Sequence, residues 1–210
     1  MSVRDASATL LRQGLQALGF EPGPDDVDRL LHYAELLRRW GKVYNLTAID
    51  RPEDVIRLHL LDSLSIWTHV RGVTILDVGT GAGLPGIPLA VLLPQRQFDL
   101  VDRSAKKIRF VVQAAIELGL TNVRAVQTRV QDFEPDVRYD AILVRAYGSL
   151  SEIWRQTRCL LNEQGVVLAM KGRCPEVAGE LAPGARLRVI PLRVPGLEAE
   201  RHLVELTSSH

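Results

Sequence analysis

Three glycines at alternate positions follow an acidic residue in the stretch Asp77-Val-Gly79-Thr-Gly81-Ala-Gly83. The residues before it, 73–76, are β-branched or aliphatic, and residues 87–93 after it form an apolar stretch suited to a helix. This order predicts a strand, a tight turn and a helix. Glycines suit such a turn because they accept positive φ and let a ligand approach the backbone with no Cβ in the way. The stretch therefore predicts a ligand-binding loop.

Two classes of cofactor compete for this loop. Gly81, Gly83 and Gly86 satisfy the dinucleotide pattern G-x-G-x-x-G, which makes NAD one alternative. The order acid-x-Gly-x-Gly-x-Gly that begins at Asp77 instead resembles the first motif of S-adenosylmethionine-dependent methyltransferases. In those enzymes the acid faces the cationic groups of the cofactor, an arrangement that suits a pyrophosphate poorly, so we expect S-adenosylmethionine. Its predicted contacts in this loop are Asp77, Gly79, Gly81 and Gly83.

The elements that position this loop follow from an alternation of strand and helix signals after residue 73. Strands are predicted at 73–78, 97–102, 123–127, 139–145 and 165–171, and helices at about 86–93, 104–118 and 150–161, with Gly119 as a C-cap. Residues 186–190 and 201–206 alternate polar and apolar with no helix signal between them, so we expect an antiparallel pair. The pattern predicts an α/β, Rossmann-like class I methyltransferase fold with a mostly parallel seven-stranded sheet.

The first part of the chain predicts helices only. We expect an N-terminal helical extension over 1–69 and the cofactor-binding core over 70–210, within one compact domain. One helix is predicted at 6–18, and a second is expected to start at a cap on Asp25 or Asp26. Asp50-x-Pro52-Glu53 resembles a capping box that would open a third helix.

Composition limits the classes of protein that this chain can belong to. Of 210 residues, 46% are hydrophobic, which is enough for a sizeable core. No apolar run reaches the roughly 18 residues of a membrane span, and the N-terminus lacks a secretory segment, so we expect a cytoplasmic protein. Cys159 and Cys174 lack metal-ligand spacing, and we predict no metal site. The apolar stretch Cys-Leu-Leu predicts that Cys159 lies in the core.

The net charge of +1 argues against a general nucleic-acid binder, but the charge is unevenly distributed. Residues 1–37 hold three arginines and six acidic residues, a balance of −3, which leaves +4 for the rest. Arg103, Lys106, Lys107 and Arg109 form a basic cluster without an intervening acid. This cluster is either a solvated helix face or a contact for phosphates beside the active site. In both cases we expect Lys106 and Lys107 to point away from the cofactor pocket.

Further ligand residues are predicted at the carboxyl ends of the strands, where open α/β sheets bind their ligands. Asp102 ends the second strand and can accept hydrogen bonds from both ribose hydroxyls of an adenosine, in NAD as in S-adenosylmethionine. Val130 and Gln131 are expected beside the adenine, the first through its backbone and the second through its amide. Arg145 ends the fourth strand and can hold a carboxylate or a phosphate.

Arg145 has a second interpretation as a structural residue. It can form an ion pair within the protein, for which Asp140 and Glu152 are the candidate partners in the sequence. The two interpretations remain open at this point.

Seven motifs carry a more specific resemblance. They are Trp40-Gly-Lys-x-Tyr44-Asn45-Leu-Thr47, His59-x-Leu-Asp62-Ser63, the glycine loop through Pro88, Asp102-x-x-x-Lys106, Arg145-Ala-x-x-Ser149-Leu, Lys171-Gly172 and Glu200-Arg-His202-Leu. In this order they resemble the bacterial 16S ribosomal RNA guanine-N7 methyltransferases, a family also called glucose-inhibited division protein B. The resemblance covers residues 30 to 206.

This resemblance implies methyl transfer from S-adenosylmethionine to N7 of one guanine in small-subunit ribosomal RNA, near the decoding region. The substrate would be 16S ribosomal RNA or the small ribosomal subunit, and we expect a monomer. The cofactor residues that it implies are Gly79, Leu84, Asp102, Val130, Gln131 and Arg145. Many relatives carry a glutamate where Gln131 stands, and the oxygen of the Gln131 amide can still accept a hydrogen bond from the adenine amino group.

The expected chemistry needs no catalytic base. Methylation of an exocyclic amine commonly uses Asp/Asn-Pro-Pro-aromatic after the fourth strand, where this chain has Arg145-Ala-Tyr147-Gly. Guanine N7 carries a free lone pair, so positioning is the main contribution of the protein. Tyr147 is predicted either to stack on the guanine or to belong to the core. The candidate RNA contacts are Lys106, Lys107, Tyr147, Lys171 and Arg201, whereas His202 is predicted to be structural.

Three alternatives of other classes remain. Cys174 stands about where cytosine-C5 methyltransferases of RNA keep a nucleophile, although the Asp-Pro-x-Cys-type segment that they also need is absent. An NAD-dependent oxidoreductase would require a catalytic domain for which 210 residues leave no room. A non-enzymatic module that binds the cofactor and docks on the ribosome is the third.

Overall fold

The computed structural model describes residues 3–44, 46–173 and 184–209. Its strands form one sheet in the order β3-β2-β1-β4-β5-β7-β6. The strands are β1 (Thr74–Val78), β2 (Gln97–Asp102), β3 (Val123–Gln127), β4 (Tyr139–Arg145), β5 (Leu161–Lys171), β6 (Ala185–Leu192) and β7 (Arg201–Ser208). This arrangement confirms the predicted fold class.

The order of the strands reverses at β1, because the chain adds β2 and β3 on one side of β1 and then returns to add β4 on the other side. Strands β1 to β5 are parallel, and β7 is antiparallel to both β5 and β6. The antiparallel terminal pair is therefore confirmed, with β7 inserted between β5 and β6. The carboxyl ends of β1, β2 and β4 lie side by side, which creates the crevice where such sheets bind ligands.

Seven α-helical segments surround this sheet in the described part of the chain. They are α1 (Val3–Ala17), α2 (Pro24–Tyr44), α3 (Pro52–Val55), α4 (Asp62–Leu64), α5 (Gly86–Leu92), α6 (Ala105–Glu117) and α7 (Leu150–Thr157). A π-helical turn, Ile56–Leu61, joins α3 to α4. Gly119 has φ +63° and ends α6, as predicted.

Two predicted helix starts are wrong. The third helical segment begins after Arg51 as N-cap, whose side chain makes no capping hydrogen bond, because Pro52 already supplies a helical φ at the first position. Asp50 instead lies 3.6 Å from the Arg38 guanidinium. The second helix begins at Pro24, and the carboxylate of Asp26 in its first turn accepts a hydrogen bond from the amide of Gly23 (2.9 Å).

The predicted core position of Cys159 is also wrong. Cys159 is exposed and free, because the stretch Arg158–Leu160 folds as a short 3₁₀ turn. Only Leu160 of this turn points into the protein. Cys174, the other cysteine, lies outside the described residues.

The N-terminal helices share one apolar core with the sheet. Leu11 of α1 and Leu30 of α2 are buried in the same cluster as Ile75 of β1 and Phe110 of α6. The boundary between an extension over 1–69 and a core over 70–210 stays a prediction, since the packing is continuous across it. No described helix combines the length and the apolar composition needed to cross a membrane.

Candidate active site

Asp77 at the end of β1 organises the glycine loop. Its side chain is fully buried, and its Oδ2 accepts hydrogen bonds from Thr80 Oγ1 (2.7 Å) and from the amide of Gly86 (2.9 Å). Burial raises the pKa of this carboxyl to about 6. Its Oδ1 is buried with no hydrogen-bond partner in the described part of the chain. One oxygen therefore holds the loop, and the other remains available to a ligand.

The three alternating glycines all have positive φ, but a Cβ added to each would meet different surroundings. A Cβ on Gly79 would lie 3.0 Å from the ring of Tyr147, and one on Gly83 would lie 2.6 Å from Ile87. A Cβ on Gly81 would meet nothing nearer than the carbonyl of Gly79, at 3.8 Å. Gly79 and Gly83 are therefore required by packing within the protein. Gly81, with φ +62°, faces open space in which a ligand can approach its backbone.

Asp102 at the end of β2 lies against the same loop. Its Oδ2 accepts a hydrogen bond from the amide of Gly81 (3.0 Å), and its Oδ1 accepts one from the amide of Ser104 (2.9 Å). The ammonium of Lys107 lies 3.4 Å from Oδ2. The expectation that Lys107 points away from the cofactor pocket is therefore wrong, because the first turn of α6 starts directly behind Asp102.

The predicted adenine contacts form a short turn after β3. Val130 is buried and Gln131 is exposed within the 3₁₀ turn Val130–Asp132. The Gln131 side chain lies close to the hydroxyl of Tyr147, and burial raises the pKa of that phenol. Leu84 is half-buried in the glycine loop. Gln131 and Tyr147, which are 16 positions apart in the sequence, thus meet beside this loop.

These residues fit S-adenosylmethionine. The Oδ1 of Asp77, which has no partner within the described ranges, suits a cationic group, and the open face of Gly81 leaves room for a ligand against the backbone. Asp102 supplies a carboxylate for ribose hydroxyls. No group of three or more His, Cys, Asp or Glu side chains within residues 3–44, 46–173 and 184–209 is placed to hold a metal ion.

Arg145 at the end of β4 is held by the segment that precedes the sheet. Its Nη2 lies 3.3 Å from Asp62 Oδ2 and donates to the carbonyl of Leu58 (3.0 Å). Its Nη1 donates to Ser63 Oγ (3.2 Å). Arg201, the first residue of β7, donates from Nε to Asp62 Oδ1 (2.7 Å). Asp62 therefore pairs with both arginines.

The candidate partners of Arg145 in the sequence are both wrong. Asp140 accepts hydrogen bonds from the amides of Val73 and Thr74, because it lies near the amino end of β4. Glu152 accepts a hydrogen bond from the side-chain amide of Gln156, one turn further along α7. Neither of these carboxylates is the ion-pair partner of Arg145.

The remaining candidate RNA contacts divide into two groups. Lys171 donates to the carbonyl of Gly148 (3.0 Å), and Tyr147 donates to Gln156 Oε1 (2.7 Å), both at the carboxyl edge of the sheet. Lys106 lies further away on α6, with its ammonium 5.5 Å from the centroid of the Tyr44 ring. The structure brings Lys171 and Tyr147 to the same edge of the sheet as Arg145 and Arg201.

Two residues of this edge carry features that sequence analysis missed. His59 is buried, and its Nε2 hydrogen-bonds with Thr47 Oγ1 (2.8 Å). Burial, reinforced by the charge of Arg145, lowers the pKa of His59 to about 4, so the ring is neutral. Ala146 has φ +54°, a strained value for a residue with a Cβ. The motif around His59 was the signal for the first, whereas no local pattern indicates the second.

The buried face of α2 also reaches the glycine loop. The buried hydroxyl of Tyr33 donates to the carbonyl of Ala82. A tyrosine among the leucines of an apolar helix face was the available signal.

His202, predicted to be structural, is half-buried, and its Nδ1 has no hydrogen-bond partner in the part of the chain that the structure describes.

Solved structures of methyltransferases share this fold. TrmN from Thermus thermophilus superposes with a TM-score of 0.58 at 22% identity, covering 82% of this chain and 53% of that one. A SAM-dependent methyltransferase from Aquifex aeolicus superposes with a TM-score of 0.57 at 17% identity, covering 77% and 96%. At these identities the likeness concerns the fold alone.

Sequence comparisons are more specific. The chain is 55% identical over 198 residues to ribosomal RNA small subunit methyltransferase G from Methylococcus capsulatus, covering 94% of this chain and 97% of that one. It is 46% identical over 200 residues to the protein of the same name from Coxiella burnetii, covering 95% and 97%. The family GidB, rRNA small subunit methyltransferase G, matches residues 26–204. The chain belongs to this family.

Proposed function

We propose that this protein transfers a methyl group from S-adenosylmethionine to N7 of a guanine in 16S ribosomal RNA. The observation that carries the proposal is the pairing of an open glycine backbone with two buried acids. Gly81 faces open space, and Asp102 accepts a hydrogen bond from the Gly81 amide. The Oδ1 of Asp77 has no hydrogen-bond partner among the described residues. Membership of the family supports the same reaction.

Each of these groups has a separate task in holding the cofactor. When bound, S-adenosylmethionine supplies a methyl group on a cationic sulfur. Asp77 would attract the cationic methionine part through its negative charge, and Asp102 would accept hydrogen bonds from the ribose hydroxyls. Val130 and Gln131 would line the adenine end, the first from a buried position and the second from an exposed one. Gly79 and Leu84 complete the loop.

The chain after β4 supports a reaction without a general base. Arg145, Ala146 and Tyr147 occupy the place where amine-directed enzymes carry a polar residue and two prolines. Guanine N7 attacks through a lone pair that is free at neutral pH, so no proton must be removed first. The contribution of the protein is then to hold the guanine in line with the methyl group.

The basic residues at the same edge support an RNA substrate. Lys171 and Arg201 lie beside Arg145, and Lys106 and Lys107 extend the positive charge along α6. Tyr147 offers an aromatic ring next to Gly79. Because all these groups belong to one chain, the proposal requires one copy of the protein. The substrate places the reaction in the bacterial cytoplasm, on 16S ribosomal RNA or the small subunit.

The test incubates the protein and labelled S-adenosylmethionine with small ribosomal subunits purified from cells that lack this gene. We expect one labelled site in 16S RNA, which chain cleavage at N7-methylguanine locates. The 23S RNA from the same cells is the negative control. Label in an exocyclic amine or at cytosine C5, or no label with the folded protein, would reject the proposed function.

A further inference from the structure

Asp62 holds two cationic side chains that come from distant parts of the fold. It is the first residue of α4 and follows the π-helical turn directly. Its side chain is 4% exposed, and its two oxygens take different partners. Oδ1 accepts from Arg201 Nε at 2.7 Å, and Oδ2 lies 3.3 Å from Arg145 Nη2.

The two arginines are separated by a strand. Arg145 ends β4, Arg201 begins β7, and β5 runs between these strands. The register places Arg145 beside Met170, and the following residue, Lys171, beside His202. Asp62 therefore bridges the carboxyl edge of the sheet across the end of β5, where no backbone ladder can fix the two guanidinium groups relative to each other.

The cluster of Asp62, Arg145 and Arg201 carries a net positive charge, which favours a negatively charged ligand such as RNA. Two guanidinium groups face one carboxylate. The arginine side chains are 22% and 23% exposed, so each keeps only a small opening to solvent. Two cations held together this way need a shared anion to fix their directions, since without it they repel each other.

We propose that Asp62 is a positioning residue for methyl transfer. It holds Arg145, which the resemblance assigns to the cofactor, and Arg201, a candidate contact for RNA phosphate, in fixed orientations at one edge of the sheet. Asp62 itself contacts neither the RNA nor the cofactor. This inference rests on the proposed function, because it assumes that RNA is the substrate bound at this edge.

The experiment compares full-length wild-type protein with Asp62→Asn in steady-state methylation of small subunits. The asparagine keeps the size of the side chain and removes its charge. We expect kcat to fall by about 10- to 100-fold, because misplacement of the reactants by about 1 Å has an effect of this size. The KM for RNA should stay within about threefold, since the cluster gains a net positive charge while it loses its order. The assay uses saturating S-adenosylmethionine, so that a change in cofactor affinity does not enter kcat.

Asp62→Glu separates position from charge. It keeps the carboxylate and moves it by one methylene, so a positioning role predicts a loss of kcat there as well. Asp99→Asn is the matched control, because Asp99 also forms an ion pair, with Arg124 at 2.5 Å, away from the glycine loop. We expect this control to lower thermal stability and to leave kcat unchanged.

Arg201→Lys keeps the test decisive if Asp62→Asn does not fold. Lysine preserves the charge but has no Nε–H to donate to Asp62, so kcat should fall in this variant too. The effects of Asp62→Asn and Arg201→Lys should also be less than additive in the double variant, as for residues that act as one unit. Full kcat in folded Asp62→Asn, or in Arg201→Lys, overturns the inference. So does a raised KM with kcat intact.

The inference and the proposed function fail in different ways. If the wild-type protein methylates no 16S RNA, that assay alone rejects the proposed function, and the variants play no part in this result. A wild-type protein that methylates N7 while Asp62→Asn does so at the same rate rejects only the role of Asp62.

Discussion

The hydroxyl of Tyr33 on α2 donates a hydrogen bond of 2.5 Å to the carbonyl of Ala82 in the glycine loop. Tyr33 is fully buried, and Ala82 is 8% exposed. The same hydroxyl lies 3.3 Å from the position that a Cβ on Gly83 would take. The helix α2 thus supports the glycine loop directly from behind, and we expect cofactor binding to depend on this contact.

Removal of this hydroxyl should weaken cofactor binding. In Tyr33→Phe the carbonyl of Ala82 stays buried without its donor, which costs about 1–3 kcal/mol. We expect the Kd of S-adenosylmethionine, measured by calorimetry, to rise by about 5- to 10-fold as the loop relaxes. Tyr44→Phe, in a residue that is 38% exposed, is the control and should leave the Kd unchanged. Equal Kd values in both variants would contradict the role of Tyr33.

Gly81→Val should strongly weaken cofactor binding while the fold survives. The new side chain would occupy the open space in front of the loop, where overpacking of about 1–3 kcal/mol lowers affinity by one to two orders of magnitude. Gly119→Val is a matched control, because Gly119 has nearly the same φ (+63° against +62°) and equally open surroundings at the end of α6. Both variants should lose similar thermal stability, but only Gly81→Val should lose the cofactor. Normal affinity in Gly81→Val would place the cofactor elsewhere.

Lys106 and Lys107 should differ in what they affect. Lys107 lies 3.4 Å from Asp102, so Lys107→Met removes a partner of the proposed ribose acceptor and should weaken both cofactor and RNA binding. Lys106 stacks on Tyr44, and Lys106→Met should affect RNA alone. The salt dependence of RNA binding should flatten by about one unit of slope for each RNA phosphate that no longer meets a lysine. If neither substitution changes this slope, the basic cluster is a solvated helix face.

Asp77 should make stability depend on pH between about 4 and 6. Burial raises its pKa in the folded protein from 3.8 to about 6, so in this range the folded state binds more protons than the unfolded state. The contribution of Asp77 to the free energy of unfolding should therefore fall as the pH rises through this window, by an amount on the order of 3 kcal/mol, and stay level above it. His59, whose pKa is lowered to about 4, contributes a slope of the opposite sign in the same window, so the measurement is the difference in thermal stability between the wild type and Asp77→Asn, which keeps His59. A constant difference between the two melting curves from pH 4 to 7 would argue against a shifted Asp77.

Neither cysteine should be needed for the reaction. Attack by guanine N7 forms no covalent bond between enzyme and base, so the double variant Cys159→Ser/Cys174→Ser should keep its methylation rate. Cys159 is exposed, and its replacement should also leave thermal stability unchanged. A folded, cofactor-binding variant without activity would revive the cytosine-C5 alternative, with Cys174 as nucleophile.

Local patterns were sufficient for the elements and for most of the cofactor loop. Alternation of apolar strands with amphipathic helices predicted the sheet, because a buried parallel strand and its covering helix each leave their own period in the sequence. The errors fell where one turn decides the outcome. Cys159 lies in an apolar run but in a 3₁₀ turn that exposes it, and Asp50 precedes a helix that Pro52 already starts.

The sequence by itself determined that Asp77 and Asp102 each lie at the end of a strand and that three alternating glycines follow the first of them, because strand ends and glycine turns are local features. Only the tertiary structure decided which groups meet these residues. Tyr33 reaches Ala82 across 49 positions, and Arg201 reaches Asp62 across 139. Such pairs depend on the order of strands in the sheet and on the packing of α2 and α4 against its edge. A carboxylate or a phenol carries no local signal that names its partner, since its hydrogen bonds are equally possible with any donor or acceptor that the fold brings within about 3 Å.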